Sequence, residues 1–165
     1  MKNPERSDEA SNTTRFPELR TERLFLRELR RADAPALLEV WSNPDVTEFL
    51  TMDPFASLEQ AEEMIAFLRT LYGEGTGCRW TITEARTERI LGTCGFHNVS
   101  AEHRRTEMGY ELGLPHQRLG YMTEAITAIL SLGFGDMGFN RVEAFVTVGN
   151  IPSRKFLEHL GFSLD

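Results

Sequence analysis

Apolar and polar positions alternate along Thr21-Glu-Arg-Leu-Phe-Leu-Arg-Glu-Leu29, with Leu24 and Leu26 on one face, the period-2 pattern of a half-buried strand. The period then lengthens to that of a helix. Asp33 stands at a cap position, Leu37, Leu38, Val40 and Trp41 supply the apolar side, and Asn43-Pro44 ends the run. Ser57-Leu-Glu-Gln60 is a capping-box pattern. It opens a second helix with Ala61, Met64, Ile65, Leu68 and Leu71 at helical spacing and Gly73 as its stop, followed by a flexible link over 72–77. Three strands are predicted next, over 79–83, 90–99 and 107–114, separated by charged or polar turns. A helix over 121–137 buries Met122, Ala125, Ile126, Ile129, Leu130 and Phe134, with Gly138 just past its end. A fifth strand is predicted over 141–148. Asn150 caps a last helix that turns Phe156, Leu157 and Leu160 inward and stops at Gly161. The order is β-α-α-β-β-β-α-β-α: hairpin-linked strands first, then a βαβ unit, in an α+β class.

Composition narrows this only slightly. A chain of 165 residues with 41% hydrophobic content suits one domain with one good core. Residues 1–15 are polar, carry both charge signs and have no apolar core of a signal peptide; they read as a disordered tail before a single domain over 16–165. No apolar run approaches the ~18 residues of a membrane span. A net charge of −7 argues against nucleic-acid and anionic-membrane partners and suits a cationic substrate, although solubility explains it as well. The two cysteines, Cys78 and Cys94, lack zinc-ligand spacing and read as buried, reduced thiols of a cytoplasmic protein. No cluster of residues has metal spacing and no Ser–His–Asp arrangement suggests a hydrolase.

The candidate chemistry begins where the fourth predicted strand gives way to a helix. A phosphate needs small residues and free backbone N–H groups at a helix N-terminus, where the dipole also favours an anion. Gln117-Arg118-Leu119-Gly120-Tyr121-Met122-Thr123 sits at such a place. Gly120 permits a positive φ or a close backbone approach, Thr123 can donate a hydroxyl, and Arg118 adds charge. Read alone, one glycine between a strand and a helix is usually only a turn, and neither the triphosphate nor the dinucleotide glycine pattern is present.

The longer segment Gly109-Tyr-Glu-Leu-Gly-Leu-Pro-His-Gln-Arg-Leu-Gly-Tyr-Met-Thr-Glu-Ala125 resembles the coenzyme A segment of the GNAT acetyltransferases, most of all their RimJ/RimL-type branch, which acetylates ribosomal-protein N-termini. Gln117 and Gly120 match the superfamily's Gln/Arg-x-x-Gly-x-Gly/Ala, Met122 replaces the last small residue, and Arg118 stands where many relatives have glycine. Thr21-Glu-Arg-Leu-x-Leu-Arg, Asn43-Pro-Asp-Val-Thr, Ile90-Leu-Gly-Thr-x-Gly-Phe-His-Asn, Asn140-Arg-Val-Glu-Ala and Asn150-x-x-Ser153-x-x-x-Leu157 resemble further pieces of that branch, in the same order, over about 16–162.

The resemblance implies a GNAT fold with a mixed, mostly antiparallel sheet, helices on both faces, and fourth and fifth strands that splay apart. Acetyl-coenzyme A would be the co-substrate, with no metal. Its pantetheine arm would pair with backbone at Leu112 and Leu114, and its pyrophosphate would meet the N–H groups of Arg118, Leu119, Gly120, Tyr121, Met122 and Thr123. Asn150 would hydrogen-bond the pantetheine, and Ser153 would lie near the sulfur, where it could also donate a proton. The acceptor is an amine, which must lose a proton before it attacks the thioester. An α-amine of pKa about 7.7–8.0 is roughly a fifth to a third neutral near pH 7.4, while a lysine near 10.4 is only ~0.1% neutral and starts ~3–4 kcal/mol behind. A modest base therefore serves an N-terminal amine.

Glu107, Gly109 and Glu111 alternate onto one face of their strand, and relatives often carry a glutamate at the position of Glu107, so Glu107 is assigned as base with Glu111 and His97 in reserve. A strand-edge carboxylate paired with Arg104 or Arg105 is the competing reading of Glu107, and an ordinary first-turn serine that of Ser153. Tyr110 should face the other way, toward the core. The sequence ends after Gly161-Phe162, where the family usually adds two more strands; their absence would leave an unpaired edge on the fifth strand, an invitation to a homodimer. A protein N-terminus is thus the expected acceptor. A small amine such as a polyamine or aminoglycoside, and a non-catalytic coenzyme-binding module, are the alternatives.

Overall fold

The computed structural model of this chain describes residues 15–50 and 52–165. The expected N-terminal tail lies outside the described residues except for Arg15, whose carbonyl accepts a hydrogen bond from the Tyr72 hydroxyl. The elements run β1 (Leu19–Arg20), β2 (Leu24–Glu28), α1 (Ala34–Trp41), α2 (Pro44–Thr47), α3 (Leu58–Glu74), β3 (Cys78–Glu84), β4 (Ile90–Ser100), β5 (Arg105–Leu112), α4 (Tyr121–Phe134), β6 (Arg141–Glu143) and α5 (Ile151–His159). One six-stranded sheet takes them in sequence order, antiparallel everywhere except between β5 and β6, which are parallel.

The register makes the two faces chemically different. Leu24 and Leu26, Trp80 and Ile82, Cys94 and Phe96, Met108 and Leu112 share one face, and Ala125, Ile126 and Ile129 of α4 with Leu157 of α5 pack on it. This is the main core, built from the period-2 alternation of the strands against the 3.6 period of the helices. The thiols of Cys78 and Cys94 are buried in it and unbonded; burial pushes Cys78 up and Cys94 up to about 12, so neither ionises at neutral pH. The opposite face carries Arg27, Arg79, Thr81, Thr93, His97, Glu107 and Glu111. Two helices, α1 and α3, form a second cluster over part of it through Leu37, Val40, Trp41, Ala61 and Ile65. So polar a face is stable beneath helices only because its groups pair: among the described residues no buried side-chain nitrogen or oxygen lacks a hydrogen-bond partner.

Three local expectations need correction. Asp33 does not cap α1; its carboxylate takes a bidentate pair of hydrogen bonds from Arg27, at 2.8 Å each, and the Arg30 N–H. Gly73 lies inside α3, and Gly75, at φ +71°, is the left-handed residue that ends it, so the first half of the expected link is helix. The strand over 141–148 shrinks to Arg141–Glu143, because β5 turns away and nothing remains to pair with. Phe145 and Val148 are left 80% and 99% exposed. The capping box at Ser57 and the Asn150 cap form as expected.

Candidate active site

The parallel pairs Arg105↔Arg141, Thr106↔Val142 and Glu107↔Glu143 are the whole β5–β6 ladder. From Met108 onward no strand among the described residues pairs with β5 on that side. This is the expected splay, and it opens immediately beyond Glu107. Tyr110, on the core face, packs edge-on against Phe156 and reaches across the opening, its hydroxyl 2.6 Å from Ser153 Oγ. Burial pushes the Tyr110 phenol above its ordinary value, so it stays neutral, and either hydroxyl of the pair can donate. Asn150 Oδ1 accepts the Ser153 N–H at 3.2 Å, so the serine sits in the first turn of α5 and still points at the gap. Thr147 ties the loop before α5 to the Phe49 carbonyl at 3.0 Å. A groove of about 800 Å³ runs along β6 and the segment after it as far as Asn150, beside Phe134, Val142 and Phe162.

At the other end of the gap lies the loop 117–120. Gln117 spends its side-chain amide on the Leu112 carbonyl, at 3.0 Å, and so holds the end of β5 rather than reaching outward. Arg118 at φ +62° and Gly120 at φ +82° are both left-handed. That alternation turns the backbone into a concavity of N–H groups ahead of α4, whose first turn at Tyr121, Met122 and Thr123 adds its own unbonded donors. A left-handed arginine costs ~1–2 kcal/mol, which is the physical reason a glycine is common at the position of Arg118. The Arg118 side chain is exposed and makes no hydrogen bond or ion pair with the described residues. Concave donors, a helix N-terminus and a free cation fit a pyrophosphate.

A second cation in this region had no sequence signal. Arg23, just before β2, donates from Nε to Glu124 Oε1 and from its backbone N–H to Oε2, both at 2.9 Å. Its Nη1 donates to the Leu119 carbonyl at 3.0 Å, and its guanidinium lies 4.4 Å over the Tyr121 ring. Thr21 also donates to Glu124. Burial pushes Glu124 up, but the hydrogen bonds from Thr21 and Arg23 outweigh it and hold the carboxyl below its usual value. The clamp holds the carbonyl of Leu119, and with it the shape of the loop. Arg23→Ala should therefore raise the KM for acetyl-coenzyme A about tenfold, near 1.4 kcal/mol, with kcat little changed. Arg23→Lys should rescue only part, since an ammonium cannot reproduce the planar fork. Unchanged KM in Arg23→Ala would remove the clamp from the binding site.

The polar sheet face carries the candidate proton acceptors. Glu107 Oε2 lies 3.2 Å from His97 Nε2 and accepts from Asn98 Nδ2 at 3.0 Å. The competing pairing with Arg104 does not form, because that guanidinium donates to Asn140. Asn98 reaches back because it sits at φ +49° in a bulge between His97 and Ser100. Burial, with help from the Arg79 charge, pushes the His97 imidazole below its ordinary value against the pull of Glu107. Glu111 is placed differently. It is buried, with Oε1 accepting from Trp41 Nε1 at 2.9 Å and from Thr93, and Oε2 from Arg79 Nη2 at 2.6 Å. Both oxygens are committed, so this reserve base is part of the packing under α1.

Comparison with known proteins gives the family. The acetyltransferase (GNAT) domain family matches residues 23–163. The chain is 40% identical over 144 residues to the uncharacterized N-acetyltransferase p20 of Bacillus licheniformis, covering 87% of this chain and 81% of that one. It is also 40% identical over 147 residues to the uncharacterized N-acetyltransferase YoaA of Bacillus subtilis, covering 89% and 83%. The fold matches a GNAT-family acetyltransferase from Bacillus anthracis with a TM-score of 0.79 at 24% identity, over 89% of this chain and 84% of that one. It matches equally, at 0.79 and 19% identity over 88% and 83%, an acetyltransferase of Salmonella typhimurium that modifies the N-terminal serine of ribosomal protein L7/L12. The chain belongs to the GNAT family and is an acetyl-coenzyme A-dependent N-acetyltransferase.

Proposed function

We propose that the acceptor is the N-terminal α-amine of a protein or peptide. The carrying observation is the pair beside the gap, a carboxylate and an imidazole held below its ordinary pKa. Such an imidazole is neutral at neutral pH but a weak base, matched to an amine of pKa about 7.7–8.0 and mismatched by more than two further units to a lysine or polyamine. The action of the Salmonella fold neighbour on a protein N-terminus points the same way.

In this reading the coenzyme supplies an acetyl group activated as a thioester. Arg118, Leu119, Gly120, Tyr121, Met122 and Thr123 hold its pyrophosphate, and the unpaired edge of β5 receives the pantetheine down to Leu112, where the strand ends; Leu114, expected on the strand, opens the short 3-10 turn that follows. Asn150, whose Oδ1 is committed to the Ser153 N–H, offers its amide N–H₂ to a pantetheine carbonyl. Ser153, backed by Tyr110, offers a hydrogen bond to the leaving sulfur. The His97–Glu107 pair receives the amine proton. Thiol release from acetyl-coenzyme A should be at least ~100-fold faster, as kcat/KM, with peptides bearing a free α-amine than with Nα-blocked lysine peptides, polyamines or aminoglycosides. A preference for the small amines would overturn the acceptor assignment. Tight coenzyme binding with no release across the whole panel would mark a binding module instead.

A further inference from the structure

We propose that the proton acceptor is His97, on Nδ1, and that Glu107 is a positioning residue acting through the imidazole rather than on the amine. The inference rests on the reading of the site as amine-acetylating. It starts from orientation. His97 Nε2 faces the carboxylate of Glu107, so in the neutral ring the proton sits on Nε2 and the lone pair on Nδ1. That carboxylate oxygen already accepts from Asn98 as well, which fixes it in place.

Nδ1 faces open space, and two glycines make that space. Gly95 and Gly109 are direct cross-strand partners on the face that carries His97. A Cβ on Gly109 would lie 3.8 Å from His97 Nδ1, 3.5 Å from Cε1 and 3.0 Å from Arg79 Nη1. A Cβ on Gly95 would meet Arg79 Cδ at 2.9 Å, so the arginine lies flat across the bare sheet. The result is a hollow floored by backbone, with the imidazole lone pair on one side and a guanidinium edge on the other. Neither Nδ1 nor Arg79 Nη1 is hydrogen-bonded to the described residues. The hollow is at Gly109, two positions beyond the last β5–β6 pair at Glu107, where the gap for the thioester begins.

The charges around the ring suit the task. Arg79 from β3 and Glu107 from β5 are the ionisable groups that face it, with Asn98 beside it on β4 and the Arg79 charge balanced by Glu111. Burial and Arg79 keep the ring neutral at physiological pH and so able to accept; Glu107 stabilises the imidazolium once formed. The acceptor ammonium gives one proton to Nδ1, leaving a neutral amine whose lone pair forms the new N–C bond as the C–S bond breaks. The second proton from nitrogen ends on the departing sulfur, and the imidazolium releases its proton to water. The sum is ammonium plus thioester to amide, thiol and one proton.

The test uses pH profiles of kcat/KM with a peptide acceptor. In the wild type the acid side should fall with two ionisations, the acceptor amine near pH 8 and an enzyme group below 6.5. In His97→Gln the rate at neutral pH should fall ~10²–10³-fold, the enzyme ionisation should vanish, and the dissociation constant of acetyl-coenzyme A should hold. In Glu107→Gln the enzyme ionisation should persist but move to lower pH, because the charge that raises the His97 pKa has gone. The reverse pattern, an ionisation that survives in His97→Gln and vanishes in Glu107→Gln, would overturn the proposal and return the base to Glu107. Long-range ¹H–¹⁵N NMR of the wild-type protein gives a readout independent of turnover: a proton on Nε2 is expected, and a proton on Nδ1 overturns the assignment. A wild-type protein that binds coenzyme but acetylates no amine would defeat the underlying functional reading, an outcome distinct from either.

Discussion

Gly120→Trp should abolish measurable acetyl-coenzyme A binding while leaving the fold intact. Gly120 is the N-cap of α4 at φ +82°, a conformation that costs any L side chain ~1–2 kcal/mol. A Cβ there would lie 3.2 Å from Arg23 Nη2, so the indole meets the clamp that holds the Leu119 carbonyl in place. Either response damages the anion site: if the loop keeps its shape the indole displaces Arg23 and frees the Leu119 carbonyl to turn, and if it relaxes the N–H groups no longer converge. Losing two charge-assisted hydrogen bonds at ~1.5–3 kcal/mol each amounts to roughly 10²–10⁴ in affinity. The strain falls on an exposed loop and not on the core, so far-UV circular dichroism should be unchanged. Titration calorimetry checks the affinity, and a dissociation constant within threefold of wild type would refute the placement of the pyrophosphate.

The elements around this loop were legible because their signals are local. Gly120, the Asn150 cap and the stripe from Met122 to Leu130 each declare themselves within a turn of helix, whereas Phe134, expected inward on a helix over 121–137, is 51% exposed because α4 ends there. The strand alternation that set Glu107, Gly109 and Glu111 on one face is equally local, and the structure keeps it. What sequence could not show is which distant group meets each one. Arg23 and Glu124 are joined across 101 positions, and the strand pattern around Arg23 gave no sign of it. His97 meets Glu107 only because β4 and β5 pair in a register that a bulge at Asn98 then breaks. Trp41 reads as an apolar helix residue, yet its indole N–H is what commits Glu111 to packing. The fifth strand misled for the opposite reason: Val142, Ala144, Val146 and Val148 alternate well, but pairing needs a partner, and β5 parts from it after the Glu107–Glu143 pair.

Asp33 shows the same lesson with an energetic consequence. Read locally it is a helix cap, worth ~1 kcal/mol on substitution. In the fold it is buried opposite an equally buried Arg27, with Thr81 donating a further hydrogen bond at 3.2 Å. Asp33→Ala should therefore cost ~3–5 kcal/mol, because it leaves the guanidinium uncompensated beneath α1. At this chain length that is roughly 6–20 °C in Tm. Asp33→Asn should also be costly, since it preserves shape but not charge, whereas the double change Arg27→Met with Asp33→Leu should recover most of the loss, as replacement of a whole buried pair often does.

The pH dependence separates this from a cavity effect. Burial pushes the Asp33 carboxyl up, but the hydrogen bonds from Arg27 and the Arg30 N–H prevail and hold it below its ordinary value. The unfolded chain then binds this proton more readily than the native one. The stabilisation is complete above the unfolded pKa of about 3.9 and is lost as pH falls through the lower native value. Urea unfolding should find wild type and Asp33→Ala far apart at pH 7, with equal m-values, and converging as pH falls below about 4. A constant difference down to the lowest accessible pH would mean that lost packing, and not the ion pair, sets the cost. Since the pair seats α1 against the sheet, and α1 brings Trp41 to Glu111 and so holds Arg79 beside the Gly109 hollow, the native fraction of Asp33→Ala should also show a raised KM for the amine while its acetyl-coenzyme A affinity is preserved.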